Sequence, residues 1–192
     1  TEVTLDRGEV SIPDSWQVAH MAQEVGASTQ TAIDYVLSGD EQWYEINAAL
    51  NDLSSVSDDQ IGVLHQQFDE IDGYRTPTKA AQIMAGLGFK TSQHELPVEG
   101  FSGGWRMRLN LAKTLMSRAD LMLLDEPTNH LDLDAILWLE TWINAYTGLV
   151  IVISHDQAFL DATVGHILHV EQQKITLYTG NYQQFIRTRH ER

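Results

Sequence analysis

The sequence predicts an α/β protein, a parallel sheet carrying an inserted helical subdomain, from three observations. Residues 121–124 and 149–153 are short, unbroken apolar runs of the kind that form strands covered on both faces. Between them, residues 134–146 place Ile136, Leu139, Ile143 and Tyr146 on one helical face, with Thr147 and Gly148 closing the helix. Strand, helix and strand at this spacing imply a parallel crossover. From about residue 24 to residue 116 the pattern is helical instead.

In chain order, residues 10–12 read as a short strand and residues 13–15 as a turn. Residues 16–22 read as a second strand running into Gln23. Two segments then share one spacing, Trp43, Ile46, Leu50, Leu53 and Ile61, Leu64, Phe68, Ile71, which makes an apolar seam. Asp40 caps the first helix and Asp58 the second, and residues 54–57 form a link short enough to make the two an antiparallel hairpin over about 40–72. A further helix begins at about Pro77 with Thr76 as its N-cap and ends near Gly86 and Gly88. Another runs from Trp105 to about Met116. Past the 149–153 strand come a hairpin of residues 167–170 and 175–178 and a short helix from about Tyr182. There is no internal repeat.

Composition excludes several classes of function. With 27 acidic against 12 basic residues, the net charge of -15 opposes broad, nonspecific binding to phosphate backbones. The absence of cysteine rules out disulfides and thiolate metal sites and agrees with a reducing compartment. No apolar run is long enough to cross a bilayer, and the start lacks the order of a signal peptide, so a cytoplasmic protein without a membrane partner is expected. The sequence begins at Thr1 and reads as a piece of a longer chain.

The chemistry is concentrated in two segments. Asp125 closes a strand, which delivers its carboxylate to the sheet edge where α/β proteins place ligands and suits it to hold Mg²⁺. Glu126 beside it can orient or deprotonate a water that attacks a γ-phosphate. An isolated Asp-Glu pair is more often a solvated turn, but this one is followed by Pro127-Thr128-Asn129-His130-Leu131-Asp132. Upstream, Ser102 can cap a helix opening at Gly103 and Gly104, where bare backbone N–H groups can meet an anion. His155 ends the 149–153 strand at the same edge and can donate to a phosphate oxygen. Gln23, ending the first long strand, can ligate Mg²⁺ through its amide oxygen.

Phe101-Ser102-Gly103-Gly104-Trp105-Arg106 and Asp125 to Asp132 together resemble the signature, Walker B and D-loop motifs of ATP-binding cassette proteins, and Gly180-Asn181-Tyr182 with Phe185 is similar to the segment before the interdomain linker of the ABC-F subfamily. The resemblance covers nearly the whole sequence and is nearest to the first cassette of a bacterial branch of that subfamily. It implies a P-loop NTPase-type core of residues 1–23 and 117–192 and a helical subdomain of residues 24–116 that bears the hairpin arm. It makes Gln23 the Q-loop glutamine, Ser102 to Gly104 the signature, Asp125 the Walker B aspartate, Glu126 the catalytic glutamate, Asp132 the D-loop aspartate and His155 the switch histidine. ATP and Mg²⁺ are the implied cofactors. A second cassette of the same full-length chain and the ribosome, through rRNA, ribosomal protein and tRNA, are the implied partners.

Two departures qualify it. Trp105 stands where transporter cassettes commonly have glutamine, and no Gly-x-x-x-x-Gly-Lys-Ser/Thr phosphate loop occurs among the 192 residues. In the family that loop follows a strand lying between the His155 strand and the C-terminal hairpin. Its absence predicts a gap in the sheet, met by a rearranged hairpin or by a strand-exchanged homodimer, and negligible ATPase activity of this chain alone. The hairpin contains no Lys or Arg, which disfavours gripping RNA through it. A transporter nucleotide-binding subunit and a nonenzymatic interaction module are the competing readings.

Overall fold

The computed structural model describes residues 11–52, 54 and 57–190. Strands β1 (Val18–His20), β2 (Leu121–Asp125) and β3 (Leu149–Ile153) form a parallel sheet in the order β1-β2-β3. Val18 pairs with Leu121, and Asp125 pairs with Ile153. All three strands therefore end at one edge, which collects the residues that follow them. β1 is shorter than the expected 16–22. Gln17 is tied off in a loop by its N–H donating to Asp120 Oδ2 at 2.8 Å, and the last ladder bond is Met21 N–H to the Leu123 carbonyl at 3.2 Å. Residues 11 and 12 are not a strand, and Val10 lies outside the described residues.

The helices are α1 (Ala32–Leu37), α2 (Glu41–Asn51), α3 (Asp58–Glu70), α4 (Thr76–Gly86), α5 (Gly103–Met116), α6 (Leu133–Ala145), α7 (Gln157–Thr163) and α8 (Tyr182–His190). Six residues are too few for α1 to show a period, yet Ala32 and Val36 are fully buried and the helix packs on α5. The cap of α3 is Ser57 rather than Asp58, because the Ser57 N–H donates to Gln60 Oε1 at 3.0 Å and closes a capping box. Thr76 lies inside α4 rather than at its cap, since a 3₁₀ turn over Gly73–Arg75 runs straight into the helix. The core is shared between the two halves. Val36, Met84 and Leu115 from the helical part and Met122, Leu139 and Phe159 from the sheet part are each fully buried. At the end of α4, a Cβ built on Gly86 would stand 2.0 Å from the Trp138 ring of α6, so only glycine allows that approach.

The hairpin seam forms as the spacing predicts. Trp43, Ile46 and Phe68 are buried, Leu50, Leu64 and Ile71 are partly so, and Leu53 lies outside the described residues. Both feet of the hairpin are held by one side chain. Arg118, three residues before β2, donates through Nε to both oxygens of Asp40 at 2.9 and 2.8 Å and through Nη2 to the Ile71 carbonyl at 2.9 Å. Asp40 is 2% exposed and also caps α2 by accepting from the Trp43 N–H at 3.1 Å.

β3 departs from the expected fully buried strand. Leu149, Ile151 and Ile153 are 50%, 41% and 62% exposed, because among the described residues β3 pairs with β2 alone. Strands β4 (His166–Glu171) and β5 (Lys174–Thr179) form a separate antiparallel sheet around a tight turn at Gln172 and Gln173, both in left-handed backbone. Phe185 of α8 is buried against His169 and Tyr178 of this hairpin. Among the described residues no strand lies on the far side of β3, where the gap beside the His155 strand is expected.

Candidate functional site

Glu126 follows β2 in left-handed backbone, φ 47°, a conformation that costs a non-glycine residue roughly 1–2 kcal/mol. Its N–H donates to the Ile153 carbonyl at 2.8 Å, which keeps it tied to β3. The turn aims its carboxylate at the residues that end β3. Oε2 accepts from the His155 N–H at 3.3 Å, and Oε1 lies 3.4 Å from His155 Nε2. That second approach is electrostatic rather than a hydrogen bond, and Oε1 is a buried oxygen without a hydrogen-bond partner among the described residues. The two side chains differ sharply in setting, His155 being 97% exposed and Glu126 22%. An enclosed carboxylate oxygen with an open lone pair is suited to orient a water. His155 is placed by its neighbours: the Ser154 hydroxyl accepts from the Asp156 N–H at 3.0 Å, and Asp156 caps α7 by accepting from the Phe159 N–H at 3.0 Å.

Asp125 is exposed at the last position of β2, on the same edge. Gln23 lies three residues past the end of β1, exposed and in a bend rather than at a strand end, but the parallel order still puts it at this edge. No group of three or more His, Cys, Asp and Glu that could cage an ion occurs among the described residues, whereas Mg²⁺ needs only one or two protein oxygens beside waters and phosphates. Asp125 and the Gln23 amide supply donors of that kind.

Ser102 holds the N-cap position of α5 with extended backbone, but its hydroxyl makes no cap hydrogen bond, which corrects the expected side-chain cap. A Cβ on Gly103 would meet nothing within 4 Å, whereas one on Gly104 would lie 3.3 Å from His130 Nδ1. The first glycine faces open space, and the second packs closely enough that an added methyl would require the His130 ring to shift by a few tenths of an ångström. His130 and Asp132 bring the segment after Glu126 against this helix start. A cavity of about 90 Å³ between Met107 and Leu111 of α5 and Asp125, Glu126 and Asn129 has room for a few waters and not for a nucleotide.

Asp132 caps α6 by accepting from the Ala135 N–H at 3.0 Å through Oδ1 and pairs with Arg108 Nη1 at 2.9 Å through Oδ2. The Ala135 N–H and then the Arg108 guanidinium hold its carboxyl below the usual carboxylate range. Arg108 is the residue that sequence reasoning missed, and His130, read there only as part of the 127–132 run, proves to lie against Gly104 and to accept from Arg108 through its carbonyl. A signal for Arg108 was available, since it stands three residues after Trp105 on a helix and its guanidinium lies 4.4 Å over the indole.

Residues 2–129 match the family model described as ABC transporter. Over 185 residues the chain is 49% identical to the probable ATP-binding protein YheS of Escherichia coli strain K12, covering 96% of this chain and 29% of that protein. It is 36% identical over 190 residues to ATP-binding cassette sub-family F member 3 of Mus musculus, covering 94% of this chain and 27% of that one. Among solved structures, an ATP-binding subunit of an ABC transporter superimposes with a TM-score of 0.64 at 14% identity, covering 91% of this chain and 62% of that one. An archaeal ribosome recycling factor in complex with a ribosomal stalk protein gives 0.60 at 20% identity, covering 95% and 32%. Both share the α/β cassette fold with this chain. The chain therefore belongs to the ATP-binding cassette family, in its sub-family F. It spans under a third of the length of the relatives it matches.

Proposed function

We propose that this chain supplies part of an ATP-hydrolysing cassette pair acting in translation. The observation that carries the reading is Glu126: a left-handed residue at the end of a central parallel strand, its buried Oε1 without a hydrogen-bond partner and facing His155, directly after Asp125. Glu126 orients and deprotonates the attacking water, and His155 donates to the γ-phosphate as charge gathers there. Asp125 and Gln23 hold Mg²⁺, which when bound offsets phosphate charge. Ser102, Gly103 and the start of α5 meet the phosphates of ATP held by the second cassette, and Asp132 lies at the same junction.

The test uses the full-length protein. Glu126→Gln keeps the shape and removes the base, so ATP turnover is expected to fall at least about 100-fold, within the range for losing a general base, while nucleotide binding persists. Turnover within two-fold of the wild type would sink the assignment. The 192-residue chain alone is expected to show no turnover above background.

The ribosome is the site of action that the sub-family F resemblance implies, and the charge of the hairpin shapes how it would be met. Glu41, Glu45, Asp59, Asp69 and Glu70 are exposed along α2 and α3, which carry no Lys or Arg. A basic ribosomal protein suits this surface better than RNA. Removing residues 41–71 from the full-length protein should reduce co-sedimentation with ribosomes and leave basal turnover in place. Unchanged co-sedimentation would remove the hairpin from the contact.

No helix among the described residues is long and apolar enough to cross a membrane.

A further inference from the structure

We infer that Arg108 is a positioning residue that welds the signature helix to the segment after Glu126, and that Trp105 is its platform rather than a nucleotide contact. The inference rests on the ATP-site reading above for its consequence, and on geometry for its substance.

Arg108 leaves the second turn of α5 and is 10% exposed. Its Nε donates to the His130 carbonyl at 2.7 Å, and its Nη1 donates to Asp132 Oδ2 at 2.9 Å and to the Leu87 carbonyl at 3.1 Å. One planar group thus ties together the end of α4, the start of α5 and the cap of α6. The packing around it leaves little freedom. Gly88, in left-handed backbone with φ 90°, clears the guanidinium, since a Cβ there would lie 3.0 Å from Nη1. Below it the guanidinium rests on Trp105, which meets Phe89 edge-on at 4.9 Å, and Phe89 meets Phe101 at 5.8 Å. An aromatic ladder therefore runs from the residue before Ser102 to Arg108.

His130 is itself left-handed, φ 66°, and its ring lies against Gly104. The guanidinium fixes the carbonyl of this turn while Asp132 divides its two oxygens between Arg108 and the first turn of α6. A displacement of Ser102 to Gly104 would thereby reach residues 129–132 through the His130 ring, and Glu126 through its carbonyl, which accepts from the Asn129 N–H at 3.1 Å. Lysine does not reproduce the clasp, because its compact ammonium lacks the planar fork that reaches the two carbonyls and the carboxylate from two nitrogens while lying flat on the indole.

The experiment compares wild type, Arg108→Gln, Arg108→Lys, Asp132→Asn and the Arg108→Gln/Asp132→Asn double variant in the full-length protein, by ATP turnover and by amide hydrogen exchange. The weld predicts a fall in kcat of about 10-fold to 100-fold for Arg108→Gln, the size expected when reacting groups are misplaced by about an ångström, with no rescue by Arg108→Lys. The double variant should be no slower than Arg108→Gln alone, because both changes open the same clasp. Faster exchange at residues 129–136, with the middle of α5 still protected, is the signature that a general loss of stability would not give. Turnover of Arg108→Gln within two-fold of wild type, losses that multiply in the double variant, or unchanged exchange at residues 129–136 would each overturn it. If the wild type shows no turnover that depends on Glu126, the ATP reading fails, and the exchange result alone then decides the weld.

Discussion

Two arginines, one in the second turn of α5 and one just past its end, each join a carboxylate to a backbone carbonyl, yet they do so in opposite settings. Arg118 grips Asp40, which is 2% exposed, and holds the feet of the hairpin; Arg108 is itself the buried partner and grips Asp132, whose side chain is 59% exposed. In the first pair the anion has left water and depends on its partner. In the second the anion keeps its solvent and the cation is fixed by packing. The difference assigns the roles: the Arg118 clamp bears stability, and the Arg108 clasp bears geometry.

Breaking the buried pair should have the largest effect. Arg118→Met strands the Asp40 charge and should destabilise the protein by about 3 kcal/mol, the low end for an orphaned buried ion, because Arg118 is 35% exposed and water can reach the site. Chemical denaturation measures this, and a loss below about 1 kcal/mol would erase the contrast. Asp40→Asn should do less harm, about 1–2 kcal/mol, since asparagine still caps α2 and leaves Arg118 near solvent. Asp132→Asn should be smaller again in stability, under about 1 kcal/mol, while disturbing residues 129–136. The smallest effect concerns pH. Because the Asp132 carboxyl is held below its unfolded range, its contribution is present above that range and is lost as pH falls through the lowered value. Acid should therefore loosen the α6 cap only below the ordinary carboxylate range, which hydrogen exchange at residues 132–136 in strongly acidic buffer would show.

Much of this was legible in the residue order. The runs at 121–124 and 149–153, the hairpin seam and the Asp125-Glu126 turn are all local patterns, fixed by apolar spacing or by neighbours in sequence. α1 was hidden because a six-residue helix has no measurable period, and its burial against α5 comes from contacts far along the chain. The openness of β3 could not be read from its own apolar run, which cannot say how many strands flank it, but only from the missing phosphate-loop segment. The clasp is missed for a related reason: His130 accepts from Arg108 through its carbonyl, a group every residue carries, so no residue type advertises the contact. Ser102 taught the reverse lesson, a residue type that suits a cap standing at the cap position without making the bond.

The bare α-carbon of Gly86 against the Trp138 ring has a genetic consequence. Position 86 is where a single added methyl would act as a wedge between the two helices that join the subdomain to the sheet, with the indole left to swing aside or strain. Gly86→Ala is thus the natural place to seek a conditional allele, one that leaves Asp125, Glu126 and His155 untouched and acts only on how closely α4 and α6 approach.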